Sequence, residues 1–316
     1  LLGFFNIVLK AIDTIKPSDL AICFDLKGGS FRTKMYSGYK SNRQKAPDEL
    51  SEQFIYLKDI LDGFGLSYFE LEGFEADDLA GTIAKKASES CEVYLLSGDK
   101  DYLQLISENT ILMYTKTGNS DFELYDLETL KDKMGITPIQ MRDLKGLMGD
   151  KSDNIPGIDG IGEKTALKLL DEFGTIENLY SNIDKLKKNK TNEKVIAGEE
   201  IARLSKELAT IDMDVALDLD DINTHLETYN KIGAKEALEK YELNSIIKRL
   251  NLESESALTK SEESIEFNIN NNLEIDKIIL DIFKNKNFAF KFLATDKPYK
   301  NGELFKFAIA TGDNIY

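Results

Sequence analysis

Eight carboxylates crowd into four short stretches of this 316-residue chain. Asp25 closes DLAICFD. Glu75, Asp77 and Asp78 fall within GFEADDLAG, Asp99 and Asp101 follow the apolar run CEVYLLS, and Asp150 and Asp153 lie in LMGDKSDNIPG. Acids spaced so closely repel one another unless something neutralises them. For Glu75, Asp77 and Asp78, helix chemistry is one answer. Leu79, Ala80, Ile83, Ala84 and Ala87 recur with a helical period, and a helix N-terminus favours negative charge. A divalent cation is the other answer. Oxygen ligands with no His or Cys nearby suit Mg²⁺ or Mn²⁺ rather than Zn²⁺. Two such ions form a clamp for in-line phosphodiester hydrolysis, one activating water and the other stabilising the leaving oxygen. The single histidine, His225, lies in a distant polar segment, and no Ser/His or Cys/His nucleophile system is visible.

The surrounding pattern explains how these acids could meet. Apolar runs at 19–25, 66–70, 91–101 and 110–115 read as strands, and GFFNIVLKAIDTI and DELSEQFIYLKDILDGFG read as amphipathic helices. Strands alternating with helices predict an α/β fold with a mostly parallel sheet flanked by helices. Ligands bind such sheets outside the C-terminal ends of the strands. Asp25, Asp99 and Asp101 fall at such ends, with Glu75, Asp77 and Asp78 in a loop or first helical turn on the same edge. Beyond about residue 126 the pattern turns helical, with a Thr-Pro start at TPIQMRDLKGLMGD and a glycine hairpin, GIDGIG, leading into EKTALKLLDEFG.

Composition narrows the classes. The chain is 42% hydrophobic and 30% charged, enough for one large or two ordinary cores. No apolar run is long enough to span a bilayer and no leader pattern opens the chain. Its two cysteines, Cys23 and Cys91, have no metal-ligand spacing, so a reducing cytoplasm is the expectation. A net charge of −16 argues against nucleic acid only if charge is evenly spread. It is not: Lys27, Arg32, Lys34, Lys40, Arg43 and Lys45 occur between Leu26 and Pro47 with no acid among them. Such cations neutralise phosphates, and Tyr36 and Tyr39 among them could stack on unpaired bases.

CFDLKGGSFRTKMYSGYKSNR, GFEADDLAG, LSGDKDYLQL and LMGDKSDNIPGIDGIGEKTALKLL together resemble the 5′-nuclease domain of bacterial DNA polymerases of the first family, within the flap endonuclease family, over about residues 1–252. The resemblance implies a PIN-like, resolvase-like core and a helical helix-hairpin-helix-type subdomain. It implies that Asp25, Glu75, Asp77, Asp78, Asp99, Asp101, Asp150 and Asp153 bind two or more Mg²⁺ ions. It implies that Arg32, Tyr39, Lys40 and Arg43 belong to a basic arch over the active site, Lys40 and Arg43 approaching the scissile phosphate. Gly157, Gly160 and Gly162, with Lys164 and Thr165 at the following helix start, match the family's duplex clamp, where K⁺ often binds. The expected partner is flapped, nicked or gapped DNA, with no membrane, and the expected state is a monomer.

Two departures from the family pattern stand out. Its members begin with a strand carrying a further metal-binding Asp, and this sequence opens after that point, at LLGFF. FAFKFLATDKP resembles the opening of a 3′–5′ exonuclease-like domain, with Lys291-Phe292-Leu293 where a proofreading enzyme has Asp-x-Glu. The expected organisation is a catalytic core at 1–136, a helical subdomain at 137–252, a polar linker at 253–264 and the start of that further domain at 265–316. Two rival readings remain at this stage: a phosphohydrolase acting on small esters, and a duplex-binding fragment that does not cut because the first Asp is absent.

Overall fold

The computed structural model describes residues 1–116, 121–219 and 223–253, and shorter pieces between 280 and 315. Leu1–Glu253 form one compact unit and Ser254–Tyr316 a second. In the first unit, α1 (Leu2–Ile15) leads to β1 (Ile22–Cys23), α2 (Phe31–Met35), α3 (Asp48–Phe64), β2 (Tyr68–Phe69) and α4 (Ala76–Ala87). Then come β3 (Val93–Ser97), a 3₁₀ turn at Lys100–Leu105, β4 (Thr110–Thr115), β5 (Phe122–Tyr125) and α5 (Leu127–Met134). The helical half continues as α6 (Pro138–Met148), α7 (Glu163–Phe173), α8 (Ile176–Ser181), α9 (Lys190–Ala197), α10 (Glu199–Ala209), α11 (Lys231–Lys240) and α12 (Asn244–Arg249).

The fold is α/β, but the sheet is not one piece. β1 pairs with β2 in parallel, and β3 pairs with β4 in parallel. β5 turns back antiparallel on β4, which the sequence reading did not foresee. The strands nearest the acids are short because the chain leaves the ladder to deliver side chains: β1 ends two residues before Asp25 and β3 ends two before Asp99.

Among the described residues, two smaller clusters and two large apolar cores hold these pieces. One packs Leu112, Leu103 and Leu130 of the β3–β5 region against Leu144, Leu147, Leu170, Ile176 and Leu179 of the helical half. The other gathers Phe5, Ile60, Leu61 and Phe64 with Ala234, Leu238 and Ile246. Helices α11 and α12 therefore return to α1 and α3. Gly63 makes this return possible. A Cβ there would lie 2.8 Å from the Gly233 carbonyl oxygen, so only paired glycines allow α3 and α11 to cross so closely.

In the second unit, β6 (Ala289–Ala294), β7 (Leu304–Thr311) and β8 (Asn314–Ile315) form an antiparallel sheet. The expected linker, apart from Glu253, lies outside the described residues.

Candidate metal and nucleic-acid site

Asp25, Glu75, Asp77 and Asp78 meet around the start of α4. Asp25, exposed beyond β1, accepts a hydrogen bond from the Ala76 amide at 2.7 Å, so it sits at the positive end of that helix. Glu75, Asp77 and Asp78 each bring a carboxylate oxygen within 4.8 Å of the others. Tyr102 joins this group to the next: burial, with the nearby carboxylates of Asp77, Asp99 and Asp25, raises its pKa. Asp99 accepts from the Asp101 amide at 2.9 Å, opening the 3₁₀ turn.

Asp77 is the atom-level clue. Its Oδ1 is buried with no hydrogen-bond partner. Burial, then the neighbouring Asp78, pushes its pKa up to about 7 despite the attraction of Arg32. A buried carboxylate oxygen without a hydrogen-bond donor is costly unless something positive meets it. Asp101 behaves similarly: burial pushes it up to about 6, against the pull of Lys145. These hard oxygen donors and the orphaned Asp77 oxygen fit a divalent cation.

Asp78 departs from the expected ligand role. It is fully buried, and each of its oxygens accepts two hydrogen bonds. Oδ1 takes Arg32 Nη2 at 2.6 Å and the Asp212 amide at 2.8 Å; Oδ2 takes Arg32 Nη1 at 2.8 Å and the Glu75 amide at 3.0 Å. A carboxylate offers about four acceptor sites, and all are used. Asp78 is thus engaged in anchoring the start of α4, beside the Glu75 and Asp77 carboxylates.

Arg32 departs with it. Only 1% exposed, it is not a surface phosphate contact. Besides Asp78 it donates to Glu75 at 3.1 Å and to the carbonyls of Leu208 and Thr210 at 3.0 and 2.6 Å. The guanidinium thus joins α2, α4 and the exit of α10. Tyr39 is also buried. Its hydroxyl donates to Glu75 Oε2 at 2.9 Å, so the ring packs against Ile155 and Leu208 instead of offering a base-stacking face. Tyr36 is half-buried beside it.

Lys40 and Arg43 stay at the acids. Lys40 Nζ lies 2.9 Å from Glu75 Oε1 and 3.8 Å from Asp153 Oδ2, and Arg43 pairs with Asp153 Oδ1. Their turn is stapled to the loop at 150–154. Lys40 N donates to the Asp153 carbonyl, Asn154 Nδ2 to the Gly38 carbonyl and Asn42 Nδ2 to the Lys151 carbonyl, at 2.8, 2.7 and 2.7 Å. The basic segment is docked on the acidic loop here.

Lys145 is a site residue that sequence reasoning missed. On α6, nearly buried, it lies 2.5 Å from Asp101 and also pairs with Asp150. Burial opposes its charge, but these two carboxylates raise its pKa. Asp150, which burial alone would raise, is instead held below the usual carboxylate range by Lys145 and Ser152. The available signal was its position on the helix face of Met141 and Leu144, where a lysine needs a buried partner.

The hairpin divides by exposure. Gly157 is buried; its amide donates to Ser205 Oγ at 3.0 Å, and a Cβ there would lie 2.2 Å from the Gly149 nitrogen. This glycine serves internal packing, not a phosphate. Gly160, Gly162 and Lys164 are exposed, and Thr165 is half-buried in the first turn of α7. No side chain caps that helix, and Lys194 pairs with Asp159 at 3.0 Å beside the tip.

A glycine-hairpin helix half is joined to an α/β core that carries clustered carboxylates, the architecture of a nuclease. Family models agree: "5'-3' exonuclease, N-terminal resolvase-like domain" matches residues 1–135 and "5'-3' exonuclease, C-terminal SAM fold" matches 136–232. The chain belongs to this 5′–3′ exonuclease family. It is similar to DNA polymerase I of Streptococcus pneumoniae R6, 37% identical over 99% of this chain and 35% of that protein. It is 40% identical to DNA polymerase I of Bacillus subtilis over 84% of this chain and 30% of that protein. The chain thus spans about a third of the length of these relatives. A structure of T5 5′-exonuclease with bound divalent metal ions aligns with TM-score 0.59 and 25% identity, covering 75% of this chain and 90% of that one. A T5 D15 flap endonuclease complex with DNA and metal ions aligns with TM-score 0.58 and 25% identity, covering 75% and 89%. Among the described residues, no helix is long and apolar enough to cross a membrane.

Proposed function

We propose that this chain is a divalent-metal-dependent 5′-nuclease that hydrolyses phosphodiester bonds at 5′ flaps and nicked or gapped duplex DNA during replication and repair in the cytoplasm. The observation that carries this reading is the buried, unpartnered Asp77 oxygen among acids joined through Tyr102 and Lys40. Asp25, Glu75, Asp77, Asp99, Asp101, Asp150 and Asp153 would hold the ions, with Mg²⁺ the natural choice and Mn²⁺ a substitute. Bound there, the ions supply an activated water and neutralise the leaving oxygen.

The protein's own contribution is positioning. Arg32 and Asp78 fix the start of α4, and with it the carboxylates that face the cation. Lys40 and Arg43 are the cations placed to meet a phosphate at the cluster. Gly160, Gly162, Lys164 and Thr165 offer backbone N–H groups and a positive charge to the duplex behind it, the geometry that favours phosphate at a helix start; K⁺ at this turn belongs to the same reading. The chain acts as a monomer, within a longer protein that carries polymerase activity.

The test is cleavage of a 5′-flap duplex with and without Mg²⁺. Wild type should cut only with Mg²⁺. Asp77→Ala and Asp99→Ala should abolish cutting while leaving duplex affinity measured in chelator largely unchanged, because metal ligands act in the transition state. Mg²⁺-independent cleavage, or full activity in both variants, would overturn the reading.

A further inference from the structure

Two cations do double duty at this site. Lys40 and Arg43 are partly exposed, their side chains 22% and 49% accessible, whereas Arg32 is sealed in. Lys40 holds Glu75 Oε1 and Arg43 holds Asp153 Oδ1. Those are oxygens that a divalent ion would take, and an ammonium or guanidinium cannot share contact distance with such an ion without strong repulsion. Their backbone stays fixed to the loop at 150–154, so the side chains can leave the acids without the turn moving away. Lys40 keeps a left-handed backbone, φ 54°, which aims it at the cluster from that fixed position.

We propose that Lys40 and Arg43 are exchangeable counter-ions: they neutralise Glu75 and Asp153 in the metal-free protein, and a divalent ion at those acids releases them to the phosphates of the DNA. Metal and DNA binding are thereby coupled, and linkage makes the coupling equal in both directions. The inference rests on the metal-ligand reading above and adds a mechanism by which metal loading strengthens the protein's hold on DNA.

The experiment measures Ca²⁺ binding by calorimetry, with and without saturating 5′-flap duplex, and duplex binding with and without Ca²⁺. Ca²⁺ takes the same class of oxygen ligands as Mg²⁺. The variants are Lys40→Ala/Arg43→Ala, Asp77→Ala and Lys151→Ala. Lys151 is the control: it is an exposed lysine of the same loop with no ion pair among the described residues. In wild type, Ca²⁺ and duplex should strengthen each other about fivefold or more, within the usual range of such couplings. Lys151→Ala should keep that factor, and the double variant should lose most of it while binding Ca²⁺ alone at least as tightly as wild type. An undiminished factor in the double variant, or an equal loss in Lys151→Ala, overturns the exchange. If Asp77→Ala binds Ca²⁺ as wild type does, the metal-ligand reading falls and the exchange with it. If Asp77→Ala loses Ca²⁺ while the double variant keeps its coupling, the exchange alone falls.

Discussion

Arg32 and Asp78 face each other as a buried bidentate pair, with nitrogen–oxygen distances of 2.8 and 2.6 Å. The pair turns two residues of apparently catalytic type into the pin that holds α2, α4 and the exit of α10 together.

Breaking that pin should cost stability before it costs chemistry. Removing one partner of a buried ion pair is worth about 3–5 kcal/mol. Asp78→Ala and Arg32→Ala should each lower unfolding free energy by roughly that amount in urea denaturation. Asp77→Ala, which removes a half-buried carboxylate whose Oδ1 is buried without a partner, should leave stability unchanged or raise it. Equal destabilisation by Asp77→Ala and Asp78→Ala would contradict the assignment of different roles.

The metal-free protein should lose stability as pH rises. Asp77 and Asp101 have folded-state pKa values near 7 and 6, above the unfolded Asp value of about 4. Above about pH 5, where the carboxylates held at low pKa are ionised in both states, the native state binds more protons than the unfolded chain, so stability falls with increasing pH from about 5 to about 7. Melting temperatures in chelator across that range should decline. Asp77→Asn should flatten the decline, and Mg²⁺ should offset it most at the high end.

Lys145 should behave as a built-in cation. Lys145→Met leaves Asp101 and Asp150 without their shared partner. Its melting temperature should drop by several degrees at pH 8, and added Mg²⁺ should restore more of that loss than it adds to wild type. A variant as stable as wild type in chelator would show that the pair of acids does not depend on this lysine.

The hairpin glycines should separate under substitution. Gly157→Ala needs φ +60° and places a Cβ 2.2 Å from the Gly149 nitrogen, so it should destabilise by more than about 2 kcal/mol. Gly162→Ala meets no atom within 4 Å and should change stability by less than about 1 kcal/mol. Circular-dichroism melts of both variants make the comparison.

The acids, the strand ends that carry them and the hairpin were legible in the sequence because each is local. A run such as CEVYLLSGDKD states its own strand and its own terminal carboxylates, and alternating periodicity states an α/β core. Side-chain destinations were not legible, since they depend on partners far along the chain. Arg32 looks like any cation of a basic segment until Leu208 and Thr210, 176 and 178 residues away, supply the carbonyls that bury it. Tyr39 likewise becomes a core residue only against Glu75, Ile155 and Leu208. Spacing places Asp77 and Asp78 side by side as equals; tertiary contacts saturate one and leave the other's oxygen alone. Gly157 and Gly162 share a motif, yet only the first has another backbone pressed against it. The residue types determined that this chain could gather divalent cations and phosphate, while the packing of distant segments decided which acid, which cation and which glycine remain open to them, because burial and hydrogen-bond saturation are properties of the assembled fold.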